Sequence, residues 1–341
     1  MDELRMAVIG VGRIGLAHAA NLQNRVKGAR LVAVSTSNHD RATRVQGSGG
    51  DLRVYPTPEE LLEKEDLDAV VIASKTSAHL GNVEMSAAAG CHIFCEKPLA
   101  LSVEDCEAAG TVVRNAGVKL MMGHVRRFDR AHQEAKRLID AGSIGEPVLY
   151  RGMSGDMEPP TPEFADLAVS GGLIVDSMYH DIYLSNWLMA DKISRVYGEG
   201  EALVDEGVRS VGDVDNAVVS LRFAGGAVGT LTASRVTRYG HDLRSEVIGD
   251  QGAVQIGRSR HTPVRLLDRQ GVHHDMARTT AERMGEALVV ELQVFVDCIL
   301  ADTQPPVTVR DAVETLEVAL AATRSIHTGV PEDLRPRAAG T

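Results

Sequence analysis

The 341-residue chain carries 47 acidic against 36 basic side chains, a formal net charge of −11, and is 44% hydrophobic. That length and apolar content suit two packed domains, and the acidic balance, with Lys and Arg scattered rather than striped, argues against a nucleic-acid partner. No apolar run reaches the roughly 18 residues that a membrane span needs, and the opening MDELR lacks a signal-peptide layout, so a soluble, cytoplasmic protein is expected.

Residues 6 to 15, MAVIGVGRIG, run an apolar strand directly into Gly10-x-Gly12-x-x-Gly15. In such a strand-turn-helix the first glycine makes the tight turn, the second lets the backbone approach a pyrophosphate, and the third lets the helix pack on the sheet. The phosphates then sit at the helix N-terminus. A helix-like stretch, Leu16 to Gln23, and a second apolar strand, Leu31 to Val34, follow at the spacing of a dinucleotide-binding unit. Next come Val54-Tyr55, the helical PEELLEKE, the strand Ala69 to Ala73, a helix from about His79 to Ala89 and the strand His92 to Cys95. A helix from about Val103 to Asn115 and the strand Val118 to Met122 complete the series. Short continuous apolar strands separated by helices predict a parallel sheet covered on both faces, an α/β doubly wound Rossmann domain over residues 1–123.

Beyond Gly123 the texture changes. Arg130 to Ala141 reads as a helix, and Val148 to Arg151, Ser194 to Tyr197, Asn216 to Phe223, Ala227 to Ser234, Leu243 to Ile248, Ala253 to Ile256 and Val264 to Leu267 read as strands. Hairpin turns at 223–227 and 249–252 predict a mainly antiparallel sheet. Helical stretches from about Glu282 to Leu300 and Val309 to Thr328 close an α+β domain over residues 124–333, with 334–341 a polar tail. An open-faced sheet must be covered, which predicts a homodimer or homotetramer through it. The four cysteines, Cys91, Cys95, Cys106 and Cys298, form no C-x-x-C pair and read as reduced, buried thiols.

Two constellations carry candidate chemistry. The strand ending at Cys95 delivers Glu96-Lys97-Pro98 to the C-terminal edge of the sheet, where open α/β folds bind ligands; Pro98 restrains this turn and is compatible with a cis peptide. Downstream of Gly171-Gly172, Asp176 and His180 stand at i and i+4, on one face if the stretch is helical. A carboxylate beside an imidazole fixes its tautomer and makes a general base for an alcohol; the same spacing also suits a surface His-Asp pair. No third ligand completes a zinc site, and no metal is expected. At the end of the second strand, Thr36 stands where an Asp or Glu normally takes the ribose 2′-hydroxyl of NAD. With Ser37 beside it and Arg41 or Arg44 close by, this pattern favours NADP over NAD.

The glycine loop, Ala73-Ser74-Lys75-Thr76-Ser77-Ala78-His79, Glu96-Lys97-Pro98, Gly123-His124-Val125-Arg126-Arg127-Phe128 and Gly171-Gly172 with Asp176-x-x-x-His180-Asp181 resemble, in order and spacing, the Gfo/Idh/MocA oxidoreductases. Asp213-x-Asp215-Asn216 and the Arg222-Phe223 hairpin extend the resemblance, which is nearest the inositol dehydrogenase branch. It implies hydride transfer between nicotinamide and a secondary hydroxyl or ketone of a cyclic polyol or sugar. Lys97 would stabilise the reacting oxygen, His180 take the hydroxyl proton, and Asp176 orient His180. Candidate cofactor-binding residues are Gly10, Gly12, Arg13, Ile14, Gly15, Thr36, Ser37, Arg41, Ser74, Thr76, His79, Glu96 and Lys97, and candidate substrate-binding residues are Arg126 and Tyr183. The chain departs from the family pattern at Lys75, where a proline is usual, at Val125 and at Tyr183. Two other classes compete with the dehydrogenase: a cofactor-binding sensor without chemistry, and a lyase or hydrolase that uses tightly held nicotinamide transiently.

Overall fold

The computed structural model describes residues 3–38, 40–41, 43, 52–157, 160–257 and 264–334. In chain order the main elements begin with β1 (Leu4–Ile9), α1 (Arg13–Asn24), β2 (Ala29–Ser35), β3 (Arg53–Tyr55), α2 (Pro58–Lys64), β4 (Ala69–Ile72), α3 (His79–Ala88), β5 (His92–Glu96), α4 (Val103–Ala116) and β6 (Leu120–Gly123). They continue with α5 (Arg130–Asp140), β7 (Pro147–Gly155), a π-helical turn (Ile174–Met178) leading into α6 (Tyr179–Met189), β8 (Ile193–Glu201), β9 (Asn216–Phe223), β10 (Val228–Ser234) and β11 (Asp242–Gly249). β12 (Ala253–Ile256), β13 (Arg265–Asp268), β14 (Gly271–His274), α7 (Thr280–Leu300), α8 (Val309–Thr328) and β15 (Glu332–Asp333) follow. The chain packs as two compact units, Met1–Phe128 with Glu286–Glu314, and Asp129–Gly285 with Thr315–Thr341.

The first unit is built on a parallel six-stranded sheet of order β3-β2-β1-β4-β5-β6. Successive residues of its central strands, such as Val70, Val71 and Ile72 or Ile93, Phe94 and Cys95, are wholly buried, because helices on both faces leave no solvent side to alternate toward. Local chemistry sets the helix ends. Thr57 caps α2 by accepting from Glu60 N, with Pro58 at its first position, and Ser102 caps α4 by accepting from Asp105 N. Gly117, at φ +68°, ends α4 in the left-handed region. From β1 the chain winds outward to β3 and then returns to β4 on the other side, so the β1 and β4 C-termini form the switch point at which such sheets bind ligands. Residues 286–314 join this unit: Arg25 pairs with Glu286 at 2.8 Å, Lys27 N donates to Gln293 Oε1, and Met122 N to Val307 O.

The second unit carries a mixed seven-stranded sheet, β12-β11-β7-β10-β9-β8-β15, antiparallel except where β7 meets β10 in parallel. On β9, Ala217, Val219, Leu221 and Phe223 are buried while Val218, Ser220 and Arg222 are exposed, the alternation of a sheet with one covered face. α6 packs on that face, where Ser154 Oγ donates to the fully buried Asp181 carboxylate. Gly198 lets α8 approach: a Cβ there would stand 2.7 Å from Ile326 Cγ1. The opposite face carries the exposed Val218 and Val228, and the hairpin β13-β14 exposes Leu266, Leu267 and Val272. All four cysteines are free and buried. No described helix is long and apolar enough to cross a membrane. Most of the expected polar tail, residues 335–341, lies outside the described residues.

Candidate active site

The glycine loop shows three glycines with three different tasks. Gly10 takes φ +90°, and a Cβ there would lie 2.7 Å from the Ser74 backbone. A Cβ on Gly15 would stand 2.0 Å from the Gly10 carbonyl oxygen, so the third glycine lets α1 lie against the turn. Gly12 is the N-cap of α1, and a Cβ there would meet nothing within 4 Å. Open space over a helix N-terminus, with Arg13 exposed and Ile14 half-buried beside it, is the cradle that a dinucleotide pyrophosphate needs. The residues present therefore fit such a cofactor.

The loop after β4 meets this turn, and Asn82 Nδ2 donates to Ser74 Oγ at 2.9 Å while Thr76 opens a single 3-10 turn. His79, only 1% exposed, has Nδ1 2.8 Å from Pro98 O and Nε2 3.2 Å from Ser74 O. Burial pulls its pKa down, so the neutral ring donates one hydrogen bond and ties the β4 loop to the β5 loop from inside. β5 ends at Glu96-Lys97-Pro98, and the Lys97–Pro98 peptide is cis. Lys97 is half-buried, whereas the Glu96 carboxylate turns inward, its Oε1 2.7 Å from His18 Nε2. Burial, with the positive charges of Lys97 and Arg127, holds nearby His124 down to about 3, so its imidazole is neutral. Arg126, on the short turn Val125–Phe128, is 6% exposed.

In the second unit the stretch bearing Asp176 and His180 is helical throughout: Asp176 lies in the π-turn and His180 in the first turn of α6. The i, i+4 relation therefore sets both on one side of the run, and single π-turns of this kind recur at functional sites. Leu173 N donates to both Asp213 oxygens, at 3.1 and 3.0 Å, which caps the run. Gly172, at φ +81°, makes room, since a Cβ there would sit 2.7 Å from Asp213 Oδ1. Tyr183 follows one turn after His180 and is 4% exposed, packed into the core of this unit.

Arg235 is a buried charge beside the candidate site that carries no signal in the sequence. It is 2% exposed, with Nη2 3.6 Å from Asp213 and 3.8 Å from Asp176, and none of its guanidinium nitrogens makes a hydrogen bond among the described residues. A positive charge thus stands behind the candidate catalytic carboxylate. Its position at the exit of β10, in Ser234-Arg235-Val236, carries no periodic or motif signal. Neighbouring Asp215, from the same Asp213-x-Asp215 segment, accepts from Leu203, Val204 and Asp205 N and is structural; these hydrogen bonds outweigh its desolvation and hold its pKa down.

Residues 4–124 match the family model described as an oxidoreductase family with an NAD-binding Rossmann fold, and residues 132–255 match the GFO/IDH/MocA C-terminal domain. The chain belongs to the Gfo/Idh/MocA oxidoreductase family. It is 40% identical over 339 residues to the scyllo-inositol 2-dehydrogenase (NAD(+)) of Bacillus subtilis, covering 99% of this chain and 98% of that one. It is 36% identical over 325 residues to the myo-inositol 2-dehydrogenase of Thermotoga maritima, covering 95% and 96%. The solved scyllo-inositol dehydrogenase of Lactobacillus casei, with bound NAD(H) and scyllo-inositol, superposes with a TM-score of 0.91 at 26% identity, covering 97% of this chain and 99% of that chain.

These family members overturn the expectation of NADP: the family description, the Bacillus subtilis relative and the Lactobacillus casei complex all name NAD. The physical reason lies at the end of β2. A missing carboxylate removes repulsion of a 2′-phosphate but supplies no attraction, which takes fixed, charge-assisted donors. Thr36 Oγ1 instead accepts from Asn38 N at 3.1 Å and Asn38 Oδ1 accepts from Arg41 N at 3.0 Å, a local turn that leaves Ser37 and Arg41 exposed. Arg44 lies outside the described residues. A hydroxyl serves a neutral ribose diol as well as it serves a phosphate.

Proposed function

We propose that this protein is an NAD-dependent dehydrogenase that oxidises a ring secondary alcohol of an inositol to the ketone, and the reverse. The supporting observation is full-length similarity to a scyllo-inositol 2-dehydrogenase, at 40% identity over 99% of the chain. The first unit binds the dinucleotide through Gly10, Gly12, Arg13, Ile14 and Gly15, with Thr36, Ser37 and Arg41 toward the adenosine ribose and Ser74, Thr76, His79, Glu96 and Lys97 forming or buttressing the remaining loops. The second unit binds substrate and mediates self-association.

When bound, NAD supplies the nicotinamide that accepts hydride from the carbinol carbon. His180 takes the hydroxyl proton as general base. Asp176 orients the imidazole, with the Arg235 guanidinium 3.8 Å behind its carboxylate. Lys97 donates a charge-assisted hydrogen bond to the oxygen on which negative charge develops. Arg126 and Tyr183, both buried, shape the substrate region. The sheet face left uncovered in one chain and the exposed apolar side chains of the β13-β14 hairpin support a homodimer or homotetramer, which we place in the cytoplasm; light scattering showing a monomer at micromolar concentration counts against it.

The test is initial rates of NAD reduction with myo-inositol and scyllo-inositol for the wild type, His180→Ala and Lys97→Ala. Each substitution is expected to cost on the order of 100-fold or more in kcat with NAD affinity retained. Wild-type turnover in either variant removes that residue from the mechanism, and no turnover by the wild type, despite NAD binding, removes the substrate class.

A further inference from the structure

Three ionisable side chains converge inside the first unit, and the chemistry above assigns no role to two of them. His18 lies on the buried stripe of α1 with Gly15, Ala19 and Leu22. Glu291 lies on the buried stripe of α7 between Leu288 and Phe295, and Glu96 ends β5. His18 Nε2 is 2.7 Å from Glu96 Oε1, and Lys97 N donates to Glu96 Oε2 at 3.3 Å. The His18 ring meets Phe94 edge-on with centroids 5.3 Å apart, and Phe94 meets Phe295 the same way at 5.9 Å. Both Glu291 oxygens are buried without a hydrogen-bond partner among the described residues, and the ligating atoms of the three groups all lie within 4.8 Å of one another.

Two carboxylates in this volume leave net negative charge even with His18 protonated, and a desolvated, uncompensated carboxylate takes up a proton or a cation. The His18–Glu96 distance is that of a pair sharing a proton directly. Nitrogen and oxygen ligands sit about 2.0–2.2 Å from a zinc ion, which spreads a tetrahedral pair to about 3.3 Å; 2.7 Å is a direct hydrogen bond. We propose that His18, Glu96 and Glu291 form a buried proton-holding chain in which Glu291 is a neutral carboxylic acid that steadies the Glu96 carboxylate and, through Glu96, the backbone of Lys97. Burial and the neighbouring Glu96 charge both push the Glu291 carboxyl well above its usual range. Of the neighbouring ionisable groups, His79, Cys95 and His124 are shifted by burial toward their neutral forms and supply no compensating charge; Lys97 and Arg127 are positive, but the groups acting on the Glu291 carboxyl are its burial and the Glu96 charge. Glu291 and His18 are thus positioning residues, and the consequence for Lys97 rests on its assignment to the reacting oxygen.

The test compares full-length wild type, Glu291→Gln and Glu291→Leu. Infrared difference spectra at neutral pH are expected to show a protonated-carboxyl C=O stretch in the wild type that is absent in Glu291→Gln. Glu291→Leu, which removes the buried carboxyl, is expected to lower kcat with inositol about tenfold or more at unchanged NAD affinity, because small misplacements of a catalytic group are costly; Glu291→Gln, a neutral isostere, keeps it to within about threefold of wild type. A missing stretch in the wild type, a stretch that survives Glu291→Gln, or a stoichiometric divalent metal in protein purified without chelator overturns the proposal, as does wild-type kcat in Glu291→Leu. If Glu291→Leu does not fold, the infrared comparison of wild type with Glu291→Gln still decides. If the wild type turns over no inositol, the substrate assignment fails while the infrared result continues to test the proton.

Discussion

Alanine at Gly15 and at Gly12 separates the two demands made on the glycine loop. A Cβ on Gly15 would stand 2.0 Å from the Gly10 carbonyl oxygen, where real Cβ contacts stay above 3.0 Å. The obstacle is backbone, so α1 or the turn must move by about 1 Å. Overpacking costs about 1–3 kcal/mol, and with no flexible side chain to yield, the upper end, about 3 kcal/mol, applies. At about 2–4 °C per kcal/mol, Gly15→Ala should lower the unfolding midpoint by about 6–12 °C. Gly12 has an ordinary φ of −67° and nothing within 4 Å of its Cβ position, so Gly12→Ala should cost only about 0.5–1 kcal/mol through the cap. It should nevertheless weaken NAD binding at least tenfold, because the methyl occupies the space over the helix N-terminus. The assays are thermal unfolding followed by circular dichroism and NAD titration by calorimetry. Wild-type stability in Gly15→Ala, or equal destabilisation by the two substitutions, refutes the assignment of tasks.

Three further outcomes follow from the buried groups. His124 is held down to about 3 against an ordinary 6.5, so below pH 6.5 the unfolded chain binds a proton that the native one refuses, and stability falls by about 1.4 kcal/mol per pH unit as pH drops toward 3; His124→Asn should recover about 2 kcal/mol at pH 5 and nothing at pH 8 in denaturant titrations. Arg235→Met strips the compensating charge from Asp176 and Asp213, 3.8 and 3.6 Å away, and should destabilise by about 3 kcal/mol; adding Asp213→Asn, which keeps an acceptor for Leu173 N, should restore part of it, and no recovery would count against the charge argument. Burial pushes the Cys91 and Cys106 thiols up to about 11 and about 12, so native protein should react with thiol reagents far more slowly than the guanidinium-unfolded chain, in which four thiols are read out; a fast-reacting native thiol would contradict the packing.

Much of the architecture is local information. The apolar runs at 6–9, 69–72 and 93–95 declare doubly covered parallel strands because no residue in them faces water, and the alternation at 216–223 declares a half-covered one. Gly10-x-Gly12-x-x-Gly15, Glu96-Lys97-Pro98 and Asp176-x-x-x-His180 stand out in the sequence as candidates because each lies within one turn or one helical run, and such spacing is preserved in sequence. Cofactor choice was misread at Thr36 because the absence of a carboxylate says what is not repelled, not what is held.

What only the tertiary structure decided are relations between residues far apart in the chain. Residues 286–314 pack with the first unit, and this brings Glu291 to His18 and Glu96. Glu291 stands in an apolar helical stripe, an anomaly visible in sequence, but its partners depend on how α1, β5 and α7 assemble. Arg235 is likewise an ordinary polar residue until the sheet carries it to Asp176 and Asp213. Periodicity records which face of an element is buried, whereas the charge environment inside that face is set by whichever distant segment completes the core.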